Sequence, residues 1–188
     1  MTASNVSTPD LRYSLIAVLA RRLADVSPQF GRTALVKLLY LAQEVYALPL
    51  GYRFSFYTYG PYSPEVLEDL EKVRQRAAVD VGLVLSEPGG YLIMPGSNCD
   101  ALIEAGRPLL ARFDQKITSL VDSFGHFRAK DLELRTTLIY LTKNHNSVPS
   151  RREHILNLLR QLKPHFSDEE VSAAMNELVS TGIMQLPE

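Results

Sequence analysis

The chain has 188 residues, 46% of them hydrophobic and 22% charged, which is the composition of an ordinary globular protein of one domain or a domain with a small appendage. With 20 basic and 21 acidic residues its net charge is −1, so nothing global favours nucleic acid or an anionic membrane. The single cysteine, Cys99, excludes an intrachain disulfide and a cysteine metal cluster, and no apolar run is long enough to span a bilayer.

Residues 1–9 are expected to form a loose tail, because they are small and polar with no periodic apolar face. A first helix starts near Pro9 and Asp10, with Leu15, Ile16, Leu19, Leu23 and Val26 on one side and Ser27-Pro28 ending it. The second helix is expected from about Thr33 to Leu48. Leu35, Leu38, Leu39, Ala42, Val45 and Tyr46 share a face, and Val36, Tyr40, Leu41 and Ala47 make most of the remainder apolar. Only Lys37, Gln43 and Glu44 interrupt it, which is the pattern of a central, buried helix.

Tyr52 to Tyr59 alternates as a strand, with Tyr52, Phe54 and Phe56 facing one way and Arg53, Ser55 and Tyr57 the other. Gly60-Pro61 reads as a turn, Ser63 as a helix N-cap and Pro64 as the first helical residue. The following helix buries Val66, Leu70, Val73 and Ala77. Its charges run acidic first (Glu65, Glu68, Asp69, Glu71) and basic last (Lys72, Arg74, Arg76), as the helix dipole favours. Val79 to Ser86 and Tyr91 to Met94 flank Glu87-Pro88-Gly89-Gly90 as a β-hairpin.

From Ser97 onward the pattern is helical. A short helix is expected to stop near Gly106 and a longer one to begin at Pro108, with Leu110, Phe113, Ile117, Leu120, Val121 and Phe124 inward. Another carries Leu134, Thr137, Leu138 and Leu141, followed by a polar loop from Lys143 to Pro149. Ser150 with Glu153, and Ser167 with Glu170, have capping-box spacing. They precede stripes formed by Ile155, Leu158, Leu159 and Leu162, then by Val171, Ala174, Met175 and Leu178, with Gly182 as the final stop. The expected fold class is α+β and mostly helical. A winged-helix-like N-terminal part over 10–96 packs with a C-terminal helical bundle over 97–188 as one compact unit.

Chemistry is sparse. His126, His145, His154 and His165 lack the close spacing of a zinc site and suit surface or capping roles. Cys99 lies beside Asp100, which opposes thiolate formation. There is no nucleophile elbow, phosphate loop or dinucleotide fingerprint, so neither a cofactor nor an enzyme activity is expected. For DNA binding, Lys72, Arg74 and Arg76 follow an acidic helix start, and Arg151 and Arg152 make only a minor patch. Tyr57, Tyr59 and Tyr62 suit a protein interface, the alternative being rings packed between strand and helix. Arg32 and Lys37 are either internal hydrogen bonders or polar hooks for a partner.

These segments resemble the Panacea, or SocA-like, domain and within it the YwgA-like proteins. The resemblance rests on Gly31-Arg32-Thr33, Lys37-Leu38-Leu39-Tyr40, Gly51-Tyr52-Arg53-Phe54 and Tyr57-Thr58-Tyr59-Gly60-Pro61-Tyr62-Ser63. It extends to Leu132-Glu133-Leu134, Lys163-Pro164-His165-Phe166-Ser167 and Glu177-Leu178. Ala34 and Val36 depart from it, at sites that look more polar in relatives. The resemblance implies a protein-binding module of antitoxin type, neutralising or presenting a partner protein such as a toxin encoded nearby; a cytoplasmic location is expected separately, from the lack of a signal pattern and of a membrane-spanning run. It implies no catalytic residue. Partner contact is assigned to Arg32, Lys37, Tyr57, Tyr59 and Tyr62, and a structural role to Gly31, Tyr40, Gly60, Pro61 and Ser63. The alternative is a winged-helix transcriptional regulator.

Overall fold

The computed structural model describes residues 8–85, 89–144 and 151–185; the side chains of Thr8, Pro9 and Arg151 are outside that description. The expected turn at Glu87-Pro88, the loop at 145–149 with His145, and the cap at Ser150 lie outside the described residues. The elements run α1 (Thr8–Leu23), α2 (Arg32–Glu44), β1 (Ser55–Tyr57), β2 (Gly60–Tyr62), α3 (Pro64–Gln75), β3 (Val79–Val84) and β4 (Gly90–Pro95). They continue with α4 (Cys99–Leu110), a 3-10 turn (Ala111–Phe113), α5 (Asp114–Phe124), α6 (Ala129–Asn144), α7 (Arg151–Leu162) and α8 (Asp168–Ser180). The fold is therefore α+β and mostly helical, with two separate antiparallel hairpins, β1–β2 and β3–β4.

Two helices form the centre. Every residue of α2 from Ala34 to Ala42 is buried, as its all-round apolar character requires. The second central helix is α6, buried from Leu132 to Ile139 and again at Leu141 and Thr142. Its core positions include Glu133, Arg135, Thr136 and Thr137, so no simple apolar stripe announces it. The two helices pack together and run in the same direction. Their first turns line one groove, and at their far ends Lys143 Nζ donates to the Glu44 carbonyl at 2.6 Å. A single apolar cluster extends from Leu11 in α1 to Met184 beyond α8.

Several expectations need correction. Thr8 and Pro9 belong to α1, so the anticipated tail is at least two residues shorter. Val26 lies beyond α1 in a turn and is 47% exposed. Helix α2 stops at Glu44 rather than near Leu48, because Ala47 adopts φ 53°. Likewise α3 ends at Gln75, with Ala77 at φ 55° and the Ala78 amide donating back to Val73 O at 3.1 Å. In both places an alanine takes the left-handed conformation that glycine normally supplies, so the stop leaves no compositional mark.

The expected break between Gly106 and Pro108 is absent, and α4 continues through both. Gly106 is there for packing. A Cβ at this site would fall 2.1 Å from Ser14 Oγ, so glycine lets α4 lie against α1. Leu162, expected inside, is 45% exposed at the end of α7.

The Ser167 capping box is present. The Glu170 amide donates to Ser167 Oγ at 3.2 Å, and the Ser167 amide donates to Glu170 Oε2 at 2.8 Å. Replacing Ser167 with alanine should lower stability by about 1 kcal/mol in urea unfolding, with an unchanged slope against denaturant.

Candidate functional site

The β1–β2 hairpin pairs Ser55 with Tyr62, Phe56 with Pro61 and Tyr57 with Gly60. The expected alternation holds: Tyr52 is buried, Phe54 and Phe56 half-buried, and Arg53, Ser55 and Tyr57 exposed. The strand itself is only three residues long, and the chain reverses at Thr58-Tyr59 rather than at Gly60-Pro61. Phe56 faces inward onto Tyr140, with ring centres 5.3 Å apart. Tyr57 and Tyr59 face solvent and are 63% and 62% exposed. Tyr62 is half-buried, its ring 5.8 Å from that of Tyr57.

Beneath this aromatic tip lies a cluster of buried charge. Lys37 of α2 donates from Nζ to Pro61 O at 2.7 Å. Lys163, just past α7, donates from Nζ to Thr58 O and to Glu133 Oε1 of α6. The Lys163–Glu133 distance is 2.5 Å. Both lysines are 1% exposed and Glu133 is 6% exposed. One ammonium therefore holds the hairpin's reversal, and the other holds its second strand. His165 stands at the edge, with Nε2 3.8 Å from Glu133 Oε1. Burial pulls the Lys37 ammonium down to about 8; Glu133 opposes this shift and Lys163 adds to it.

Gly60 is required twice over. Its φ is +82°, a region that disfavours side chains, and a Cβ there would fall 2.6 Å from Thr137 Oγ1. The hydroxyls of Thr137 and Ser63 are buried without a hydrogen-bond partner among the described residues. Ser63 does occupy the N-cap of α3 ahead of Pro64, but its side chain makes no cap bond.

The residues singled out from the sequence thus separate into three groups. Tyr57, Tyr59 and Tyr62 come together on the hairpin. Lys37 is 1% exposed, so it sits inside the fold rather than at the surface as a hook. Arg32 lies at the start of α2, where its guanidinium stacks 3.7 Å from the centre of the Tyr91 ring. Gly31 precedes it as the α2 N-cap, and a Cβ there would fall 2.4 Å from Tyr91 O. Tyr40 is buried edge-on against Phe54, with centres 5.1 Å apart, and burial pushes its phenol pKa up. Glu133 and Lys163 received no individual role from the sequence. Their signal was a carboxylate flanked by leucines in Leu132-Glu133-Leu134 and a lysine closing an apolar stripe.

Other sites offer less chemistry. Among the described residues, no group of three or more His, Cys, Asp and Glu side chains is placed to hold a metal ion. Cys99 is buried, its Sγ is 3.5 Å from Ala17 O, and burial raises the thiol pKa. A cleft of about 240 Å³ near Tyr40, Tyr140 and the Glu44–Lys143 pair is smaller than typical small-molecule sites. No described helix is long and apolar enough to cross a membrane.

No family model matches the chain. The chain is similar to the uncharacterized protein YwgA of Bacillus subtilis, with 25% identity over 162 residues that cover 85% of this chain and 91% of that protein.

Proposed function

We propose that this YwgA-like chain is a non-enzymatic protein-binding module of Panacea, or SocA-like, antitoxin type, and that the β1–β2 hairpin is its contact surface. The observation that carries the reading is the exposure of Tyr57 and Tyr59 on a hairpin held by two buried lysines. Tyrosine gives large contact area at low cost in side-chain entropy, and an anchored loop loses little further freedom on binding. The partner is a protein, with a toxin encoded beside this gene as the specific expectation. The DNA-binding alternative gains less support, because Lys72 is paired with Asp69 and Arg74 with Glu71 on α3 itself.

The test is co-expression with the product of each adjacent gene. One of them should arrest growth when expressed alone and be relieved by this chain. With that partner in hand, Tyr57→Ala and Tyr59→Ala should each weaken binding about tenfold or more, while thermal unfolding stays where it was. Absence of rescue with every neighbour would sink the antitoxin reading. A mobility shift of duplex DNA that weakens with salt would favour the regulator instead.

A further inference from the structure

A second surface lies at the amino terminus of α2. A groove of about 610 Å³ runs between the first turns of α2 and α6 and the wing strand β4. Among the described residues, three cations line it, Arg32, Arg128 and Lys130, and no acidic side chain does. In a chain of net charge −1 this is a local concentration of positive charge. Lys130 is partly neutralised by Glu170 at 2.9 Å, and Arg32 lies over Tyr91. Arg128 is exposed and engages no acid among the described residues. Because α2 and α6 run in the same direction, the positive ends of both helix dipoles add to the field.

Pro28, Ala34, Ala129 and the Tyr91 ring make much of the groove wall apolar. Beside it the wing leaves Leu83 and Leu85 63% and 87% exposed, and Leu83 is the direct cross-strand partner of Tyr91. Duplex phosphates are held by cations and polar groups without apolar contact, whereas this groove sets cations around apolar walls. We infer that the groove docks an acidic segment of a partner protein, carboxylates to Arg32, Arg128 and Lys130 and an apolar side chain against Tyr91 and Leu83. This inference does not depend on the role given to the hairpin.

The experiment measures fluorescence anisotropy of the full chain with a labelled peptide of alternating acidic residues and leucine. A lysine–leucine peptide and a labelled duplex DNA serve as comparison probes. The acidic peptide should bind, and Arg128→Glu together with Arg32→Glu should weaken it about tenfold or more. Arg128→Glu alone, at an exposed side chain, should weaken it measurably with the circular dichroism spectrum unchanged. Tyr59→Ala should leave peptide binding intact. Failure of the acidic peptide to bind, or affinity untouched by Arg128→Glu, overturns the proposal. Equal loss on Tyr59→Ala places the peptide on the hairpin and overturns it too. Tighter binding of the DNA, lost in the same arginine variants, replaces a peptide with nucleic acid as the occupant.

Discussion

Replacing Glu133 with alanine should destabilise the fold by about 3–5 kcal/mol, the usual cost of leaving a buried charge without its counter-ion. Glu133 faces two ammonium groups that are each 1% exposed, and its Oε1 is 2.5 Å from Lys163 Nζ. Its removal leaves Lys163 with the Thr58 carbonyl and Lys37 with the Pro61 carbonyl, and no buried anion beside either among the described residues. The interior does not screen that charge as water does. Urea unfolding of Glu133→Ala measures the loss, and adding Lys163→Met should recover part of it. The double-mutant cycle should then show a coupling of about 0.5–3 kcal/mol between the two residues. A loss under about 1 kcal/mol, in the range of an exposed ion pair, would show that the cluster is not a buried charge pair in solution.

Lys37 should make stability rise with pH over an alkaline window. Its pKa is lowered by burial from 10.5 in the free side chain to about 8 in the fold. Below about 8 both folded and unfolded chains carry the proton, and the full penalty of burying the ammonium opposes folding. Between about 8 and 10.5 the unfolded chain holds the proton and the folded chain releases it, so the penalty is relieved as pH rises. The relief is on the order of 3 kcal/mol over the window, taking about 1.4 kcal/mol per pH unit. A neutral amine still donates to Pro61 O, so the hairpin keeps its tether. The difference in unfolding free energy between wild type and Lys37→Met isolates the effect, because other titrating groups cancel. Wild type should gain on the variant across the window; a flat difference contradicts the assignment.

How much was legible in the sequence follows from the kind of signal each element leaves. The α2 core, the alternation around Phe54 and Phe56, the wing hairpin and the Ser167 cap are periodic or stereotyped, and they stand where the residues indicate. The stops of α2 at Glu44 and α3 at Gln75 were illegible, because the positive-φ residues just beyond them, Ala47 and Ala77, are alanines, which carry no turn preference. Gly106 and Pro108 gave the opposite error. They look like punctuation, yet one serves a close helix crossing and the other is tolerated near the end of α4.

The candidate site divides the same way. The exposed tyrosines lie in one continuous motif and could be named from it. The cluster beneath joins Lys37, Glu133 and Lys163, which are 96 and 30 residues apart in turn along the chain, and only tertiary packing brings them together. Lys37 also shows how a charged residue in an apolar helix can mislead. It could be read as an internal hydrogen bonder or as a surface hook, and it is a buried tether. In the proposed reading, partner contact at the hairpin tip therefore falls to the tyrosines, while the motif residues around them, Gly60 and Pro61, hold that tip in place.

The most direct measurement of the central claim places a photocrosslinking amino acid at position 59 of the full chain and irradiates living cells of the source organism. Position 179 on α8, where Val179 is 38% exposed, is the comparison site. A hairpin that binds a protein partner predicts one discrete adduct from position 59, absent from position 179 and lost when Tyr57→Ala is added. The same adducts from both positions, or no adduct at position 59, would contradict it.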